Sequence, residues 1–268
     1  MPATKKPTKK PSTKPARKAA APAARMSLAE TMRELEEAGS EQTRKTYARH
    51  GASGPMFGVS FATLKAMKKR IGVDHELALA LWDTGNVDAR NLAVKIVDPL
   101  RMTPADLDRW AGEEMWRMCG GYAAMLAAEG PHGAAKAAQW LAGGPRPLRT
   151  AGWILLGQLA HRDEALPDSW FAERLSHIET SIHTAPNAER EAMNHAVIAI
   201  GCRSAALRKA ALAAAKRIGK VEVDHGDTAC KTADAAQYIE KTWAHSTSKG
   251  YETPAAHERT RDTPRLRC

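Results

Sequence analysis

Apolar and polar positions recur with a helical period through residues 57–99, FGVSFATLKAMKKRIGVDHELALALWDTGNVDARNLAVKIVDP. Leu64, Met67 and Ile71 fall on one stripe, as do Leu77, Leu81 and Trp82, and then Leu92, Ile96 and Val97. Spacings of three and four put such residues on one face of an α-helix. The segment therefore predicts three short amphipathic helices joined by minimal turns. Helix pairs linked in this way are the unit of an α-solenoid.

Start and stop signals extend the pattern in both directions. Ser27, with Glu30 in the capping-box position, opens a helix that Gly39 closes, and Ser40 opens a second toward Arg49. Asp74 caps a helix closed by Thr84-Gly85, Asp98-Pro99 ends the next, and Thr103-Pro104 opens another. Leu148-Arg149-Thr150-Ala151 and Glu189-Arg190-Glu191-Ala192 begin apolar helices 41 residues apart, within the ~40–47-residue period of HEAT and armadillo repeats. The repeat is degenerate, so the expectation is an all-α, HEAT-like solenoid. Residues 223–235 bring Asp224, His225, Asp227 and Cys230 close together in sequence. Their spacing matches no tetrahedral zinc pattern. A tight turn followed by a helix capped by Thr232 is expected there, with no metal and no cofactor.

Charge changes the picture at the N-terminus. The 268-residue chain carries a formal +10. Eight basic residues and no acid stand in residues 1–25 (Lys5, Lys6, Lys9, Lys10, Lys14, Arg17, Lys18, Arg25), leaving about +2 for the rest. This Lys/Pro/Ala/Thr segment lacks the apolar surface to fold and reads as a disordered basic tail of the kind that adds salt-sensitive affinity for nucleic acid. Residues 26–245 read as the helical domain, and residues 246–268, with mixed charge and turn-formers, as a second disordered tail. No apolar run is long enough to span a bilayer, and the first residues lack the apolar core of a secretory signal. Cys119, Cys202, Cys230 and Cys268 form no CxxC pair, as suits a reducing compartment. A cytoplasmic, nucleoid-associated monomer that avoids membranes is the expectation.

The run Phe57-Gly58-Val59-Ser60-Phe61, then Leu81-Trp82-Asp83, Ala89-Arg90 and Asp98-Pro99, resembles the AlkD-like DNA alkylation repair proteins. The similarity continues through Glu113–Gly121, Leu148-Arg149-Thr150-Ala151 and Met193-Asn194-His195-Ala196, covering residues 27 to 240. The resemblance implies a concave surface that cups duplex DNA, alkylated or not. Active members hydrolyse the N-glycosidic bond of N3- or N7-alkylpurines. A cationic base already leaves well, so such a site needs chiefly a negative charge beside the developing oxocarbenium ion and a positioned water.

By the same resemblance, Trp116 keeps a Trp that holds the sugar-phosphate and Arg149 keeps a phosphate-facing Arg. The catalytic Asp position is Gly120, and a second Trp position is His195. Glu113, Trp116 and Gly120 stand at i, i+3 and i+7, so one continuous helix would align them. Glu113 would still lie about 10.5 Å along the axis from Gly120, too far to stand in for the Asp. The expected function is DNA binding through Trp116, Arg149, His195 and the tail lysines Lys5, Lys6, Lys9 and Lys10, with weak or no glycosylase activity. An active alkylpurine glycosylase and a protein-binding scaffold are the competing readings.

Overall fold

A computed structural model describes residues 25–113 and 117–267, the backbone alone for 117–120. The described residues form helices α1 (Leu28–Glu37), α2 (Glu41–Arg49), α3 (Phe61–Ile71), α4 (His75–Asp83), α5 (Val87–Ile96), α6 (Pro104–Gly112), α7 (Arg117–Leu126) and α8 (Gly133–Leu141). These are followed by α9 (Arg146–Arg162), α10 (Asp168–Ser181), α11 (Asn187–Gly201), α12 (Ala205–Ile218), α13 (Ala235–Ser248), α14 (Pro254–Arg259) and α15 (Pro264–Arg267). No strand occurs among them.

From α4 onward the helices stack as pairs: α4 with α5, α6 with α7, α8 with α9, α10 with α11 and α12 with α13. The second helix of each pair packs on that of the next, so α5, α7, α9, α11 and α13 form one layer. Helices α9 and α11 begin 41 positions apart, as the repeat predicts. The main core runs from Leu35 to Trp243, with Trp82, Trp110, Trp140 and Phe171 fully enclosed, and a small second cluster gathers Tyr47, Ala52 and Val87. Trp82 stacks on Trp110 at 4.0 Å, joining α4 to α6, a geometry that adds to the hydrophobic gain of burial.

The three helices of residues 57–99 form as expected, with one difference. Helix α5 is not amphipathic: Asp88, Asn91 and Lys95 are buried along with its apolar residues. Asp88 is sequestered because its carboxylate accepts the backbone N–H groups of Phe57, Gly58 and Val59 at 2.6, 2.9 and 2.9 Å. Gly58 makes this turn possible. Its φ is +80°, and a Cβ would lie 2.4 Å from the Ser40 carbonyl oxygen.

Three further expectations need correction. Helix α7 starts at Arg117 and Glu113 is the C-cap of α6, so Glu113 and Gly120 share no continuous helix. Asp234, not Thr232, caps the helix after the 223–235 turn; the Thr232 hydroxyl instead lies 3.0 Å from His225 Nε2. Finally, the segment expected as a C-terminal tail is folded. Helix α13 runs on to Ser248, and α14 and α15 turn back over α9, α7 and α5. Its mixed charges resemble those of a solvated tail because their partners are remote in sequence: Arg265, 3 % exposed, pairs with Glu129, 136 residues away. The basic stretch with Lys5, Lys6, Lys9 and Lys10 lies outside the described residues.

Candidate nucleic-acid interface

The layer of second helices carries a cleft. Gly51, Ser53, Glu113, Gly121, Arg146, Pro147, Thr150 and Asn187 are among its walls, around a volume of about 530 Å³. A smaller, mainly apolar pocket of about 360 Å³ continues it between α7, α9 and α11. The two share Gly121, Thr150, Ile154 and Ala188. Asn187 also lines a larger recess beneath the 223–235 turn. There its amide donates to the Asp224 carbonyl and accepts from the Asp224 N–H, both at 2.8 Å. Arg190 and Asn194, on the same stripe of α11, hold the carbonyls of Glu222 and Ala233. No group of three or more His, Cys, Asp or Glu residues that could hold a metal ion occurs among the described residues.

Most helix starts carry a side-chain cap; α8 and α10 lack one, and so do the helices that begin at the cleft. Ser, Thr, Asp or Asn side chains cap α1 through α6 and α12 through α14. The two helices that begin on the cleft, α9 and α11, have Pro145 and Pro186 at their N-caps and no side-chain hydrogen bond there. A proline presets the backbone but has no side-chain oxygen to cap with, so the first-turn N–H groups, which in α9 are those of Arg146 and Leu148, remain available to an anion. Helix α9 has no acidic residue in its first turn, which is Arg146-Pro147-Leu148-Arg149.

Two carboxylates near the cleft, Glu113 and Glu189, are tied to cations. Glu113 receives Arg90 at 2.5 Å and the Trp82 indole N–H at 3.1 Å. Arg90 also stacks over the Trp82 ring and donates to the Trp82 carbonyl. Trp82 and Arg90, two of the residues that carried the family resemblance, thus act as a clamp on Glu113. Glu189, in the first turn of α11, meets Arg149 Nε at 3.3 Å and the Trp153 indole at 3.4 Å.

The expected contact residues sort unevenly. Arg149 donates to the Gly144 carbonyl and pairs with Glu189, whereas Arg146, one turn earlier, lines the cleft. His195 is exposed on an otherwise buried stretch of α11 and lines the apolar pocket with Trp153, Ile154 and His161. Trp116 lies outside the described residues. Gly120 falls in the first turns of α7, beside the cleft residue Gly121. Two further site residues were not expected from the sequence. The signal for Arg146 was its place after Pro145 at a helix start. The other is His161, a pocket residue that burial pushes from 6.5 down to about 4, against an opposing pull from Glu258.

The family model for DNA alkylation repair enzymes matches residues 31–239. The chain belongs to that family. Among solved structures, one described as "a new family of proteins related to the HEAT-like repeat DNA glycosylases with affinity for branched DNA structures" matches with a TM-score of 0.74 and 31 % identity, covering 84 % of this chain and 95 % of that one. Uncharacterised relatives occur in Listeria monocytogenes (Lmo0209, 28 % identical) and Listeria innocua (Lin0241, 27 %), each over 78 % of this chain and 93 % of the relative. The HEAT-like helical fold of this DNA alkylation repair family is therefore the fold of this protein. No helix among the described residues is long and apolar enough to cross a membrane.

Proposed function

We propose that this member of the DNA alkylation repair family binds DNA, both duplex and branched, along the cleft over α7, α9 and α11, with weak or no glycosylase activity. The cleft wall carries the reading: α9 and α11 begin there without side-chain caps, while the cleft carboxylate Glu113 is bridged to Arg90. Open N–H groups at a helix start, reinforced by the helix dipole and Arg146, donate to phosphate oxygens without any change in the fold. His195 and Trp116 supply further contacts from α11 and from the segment before α7. The lysines Lys5, Lys6, Lys9 and Lys10 add a salt-sensitive hold on the backbone. Branched substrates belong in the test because the structural relative is described as having affinity for them.

Glycosylase chemistry needs an uncommitted negative charge beside the developing oxocarbenium ion. The family resemblance puts Gly120 where that charge would stand. Glu113 and Glu189 are neutralised by Arg90 and Arg149, so neither is poised to substitute. The protein acts as a monomer at the nucleoid in this reading, since its core closes without a second copy.

The test has two arms. Gel-shift titrations with duplex, three-way and four-way junctions are expected to show binding that weakens steeply with salt; absence of binding at low salt would overturn the proposal. Release of 7-methylguanine or 3-methyladenine from alkylated DNA is expected to be near background for the wild type and to rise in Gly120→Asp. Robust wild-type release abolished by Trp116→Ala would establish the glycosylase instead.

A further inference from the structure

The C-terminal segment lines none of the cleft, yet it makes the longest-range polar contacts in the described residues. The Ala255 N–H donates to the Cys202 carbonyl at the end of α11. Arg259 donates to the His161 carbonyl near the end of α9 at 3.0 Å. Arg265 grips Glu129, just past α7, with two hydrogen bonds of 2.8 and 2.7 Å, and donates to the Val94 carbonyl in the last turn of α5 at 2.6 Å. Lys95 returns the contact by donating to the Arg265 carbonyl at 2.7 Å. Between these anchors Glu258 collects Arg162, Arg261 and Arg267. Four successive helices of one layer are thus joined at or just past their C-terminal ends by a single segment, through its arginines and the Ala255 N–H. Carbonyl-rich helix ends carry partial negative charge and favour such partners.

A solenoid repeat contacts only its neighbours, so spacing and curvature accumulate from small, soft rotations. A ribbon fastened to α5, α7, α9 and α11 at once removes that freedom. We infer that residues 253–267 form a clasp that fixes the spacing of α5, α7, α9 and α11 and thereby the width of the cleft at the starts of α9 and α11. His161 is where clasp and cleft meet: its side chain lines the apolar pocket of the cleft while its carbonyl receives Arg259. The arginines are committed within the protein rather than to a ligand. The side chain of Arg265 is 4 % exposed and that of its partner Glu129 12 %. The clasp fixes the spacing whether or not a ligand is bound; its consequence for DNA affinity rests on the function proposed above.

The test measures the distance between spin labels at Ser53→Cys, on the cleft rim, and the exposed native Cys230, with Cys119 and Cys268 replaced by Ser. Cys202 stays unlabelled, because burial pushes its thiol up to about 12. The full-length protein is expected to give one narrow distance distribution without DNA. Arg265→Ala is expected to broaden it and to weaken junction binding about fivefold, the lower end of ordinary coupling between linked sites. Should Arg265→Ala fail to fold, Arg259→Ala, whose side chain is more exposed, carries the same expectation. An unchanged distribution with a lower melting temperature would overturn the clasp and leave a merely stabilising contact. Broadening with unchanged affinity would overturn its link to the cleft. A wild type that binds no DNA refutes the proposed function, while the label distance still decides the clasp.

Discussion

Asp88 and His161 show how single residues hold the site in place. The Asp88 carboxylate collects three backbone N–H groups of the 57–59 turn. Asp88→Ala would leave them buried and unpaired, at a cost of about 3 kcal/mol. Urea unfolding checks this, and Asp88→Asn, which keeps one acceptor oxygen, should lose less. His161 is held neutral by burial, at about 4 against 6.5 when exposed to water. Its folded value is depressed, so the unfolded chain binds the extra proton first as pH falls. Stability should therefore decline between pH 6.5 and 4 by about 3 kcal/mol, then become insensitive to this group below that window. His161→Leu should flatten that part of a stability-versus-pH profile measured by thermal melts.

At the scale of elements, what matters is which helix ends are satisfied by the chain itself. Side-chain caps stabilise a helix and also occupy the N–H groups an anion would use. The Pro145 and Pro186 starts of α9 and α11 forgo that stabilisation on the cleft wall. Replacing Pro145 by Asp is therefore expected to move two quantities in opposite directions. A carboxylate N-cap should raise stability by about 1 kcal/mol, read by chemical denaturation. It should lower DNA affinity by placing negative charge where phosphate would dock, read by titration on the same junction. Equal affinity in wild type and variant would count against the α9 start as a phosphate contact. These starts were legible in the sequence as Gly-Pro-Arg-Pro and Ala-Pro-Asn. That both face one cleft was not, because 41 residues separate them and only stacking brings them side by side.

At the scale of the whole molecule, charge is concentrated at the ends of the chain and serves two purposes. The first 25 residues carry eight of the formal +10 with no acid among them. Deleting residues 1–24 should flatten the logarithmic dependence of DNA affinity on salt by about 0.9 for each phosphate the tail had neutralised, without altering the melting temperature. An unchanged slope would mean that the tail does not engage DNA. The C-terminal arginines are occupied internally by Glu129, Glu258 and backbone carbonyls. Composition reads both ends as polar and unfolded. For the C-terminal one, the 3 % exposure of Arg265 shows charge packed within the fold.

By itself the sequence determined the helical class, the repeat and the family, because these depend on local periodicity, capping residues and the order of short motifs. By resemblance it also puts Gly120 at the family's carboxylate position, a proposal that the base-release assay tests. The tertiary structure decided what the remaining charges do. It tied Arg149 to Glu189, committed Glu113 to Arg90 and Trp82, put Arg146 in the cleft, and folded the C-terminal segment across four helices. Each of these pairs joins residues more than 20 positions apart or chooses among neighbours on one helical turn. A charge's partner is set by burial and stacking of the whole solenoid, and no local pattern along the chain encodes it.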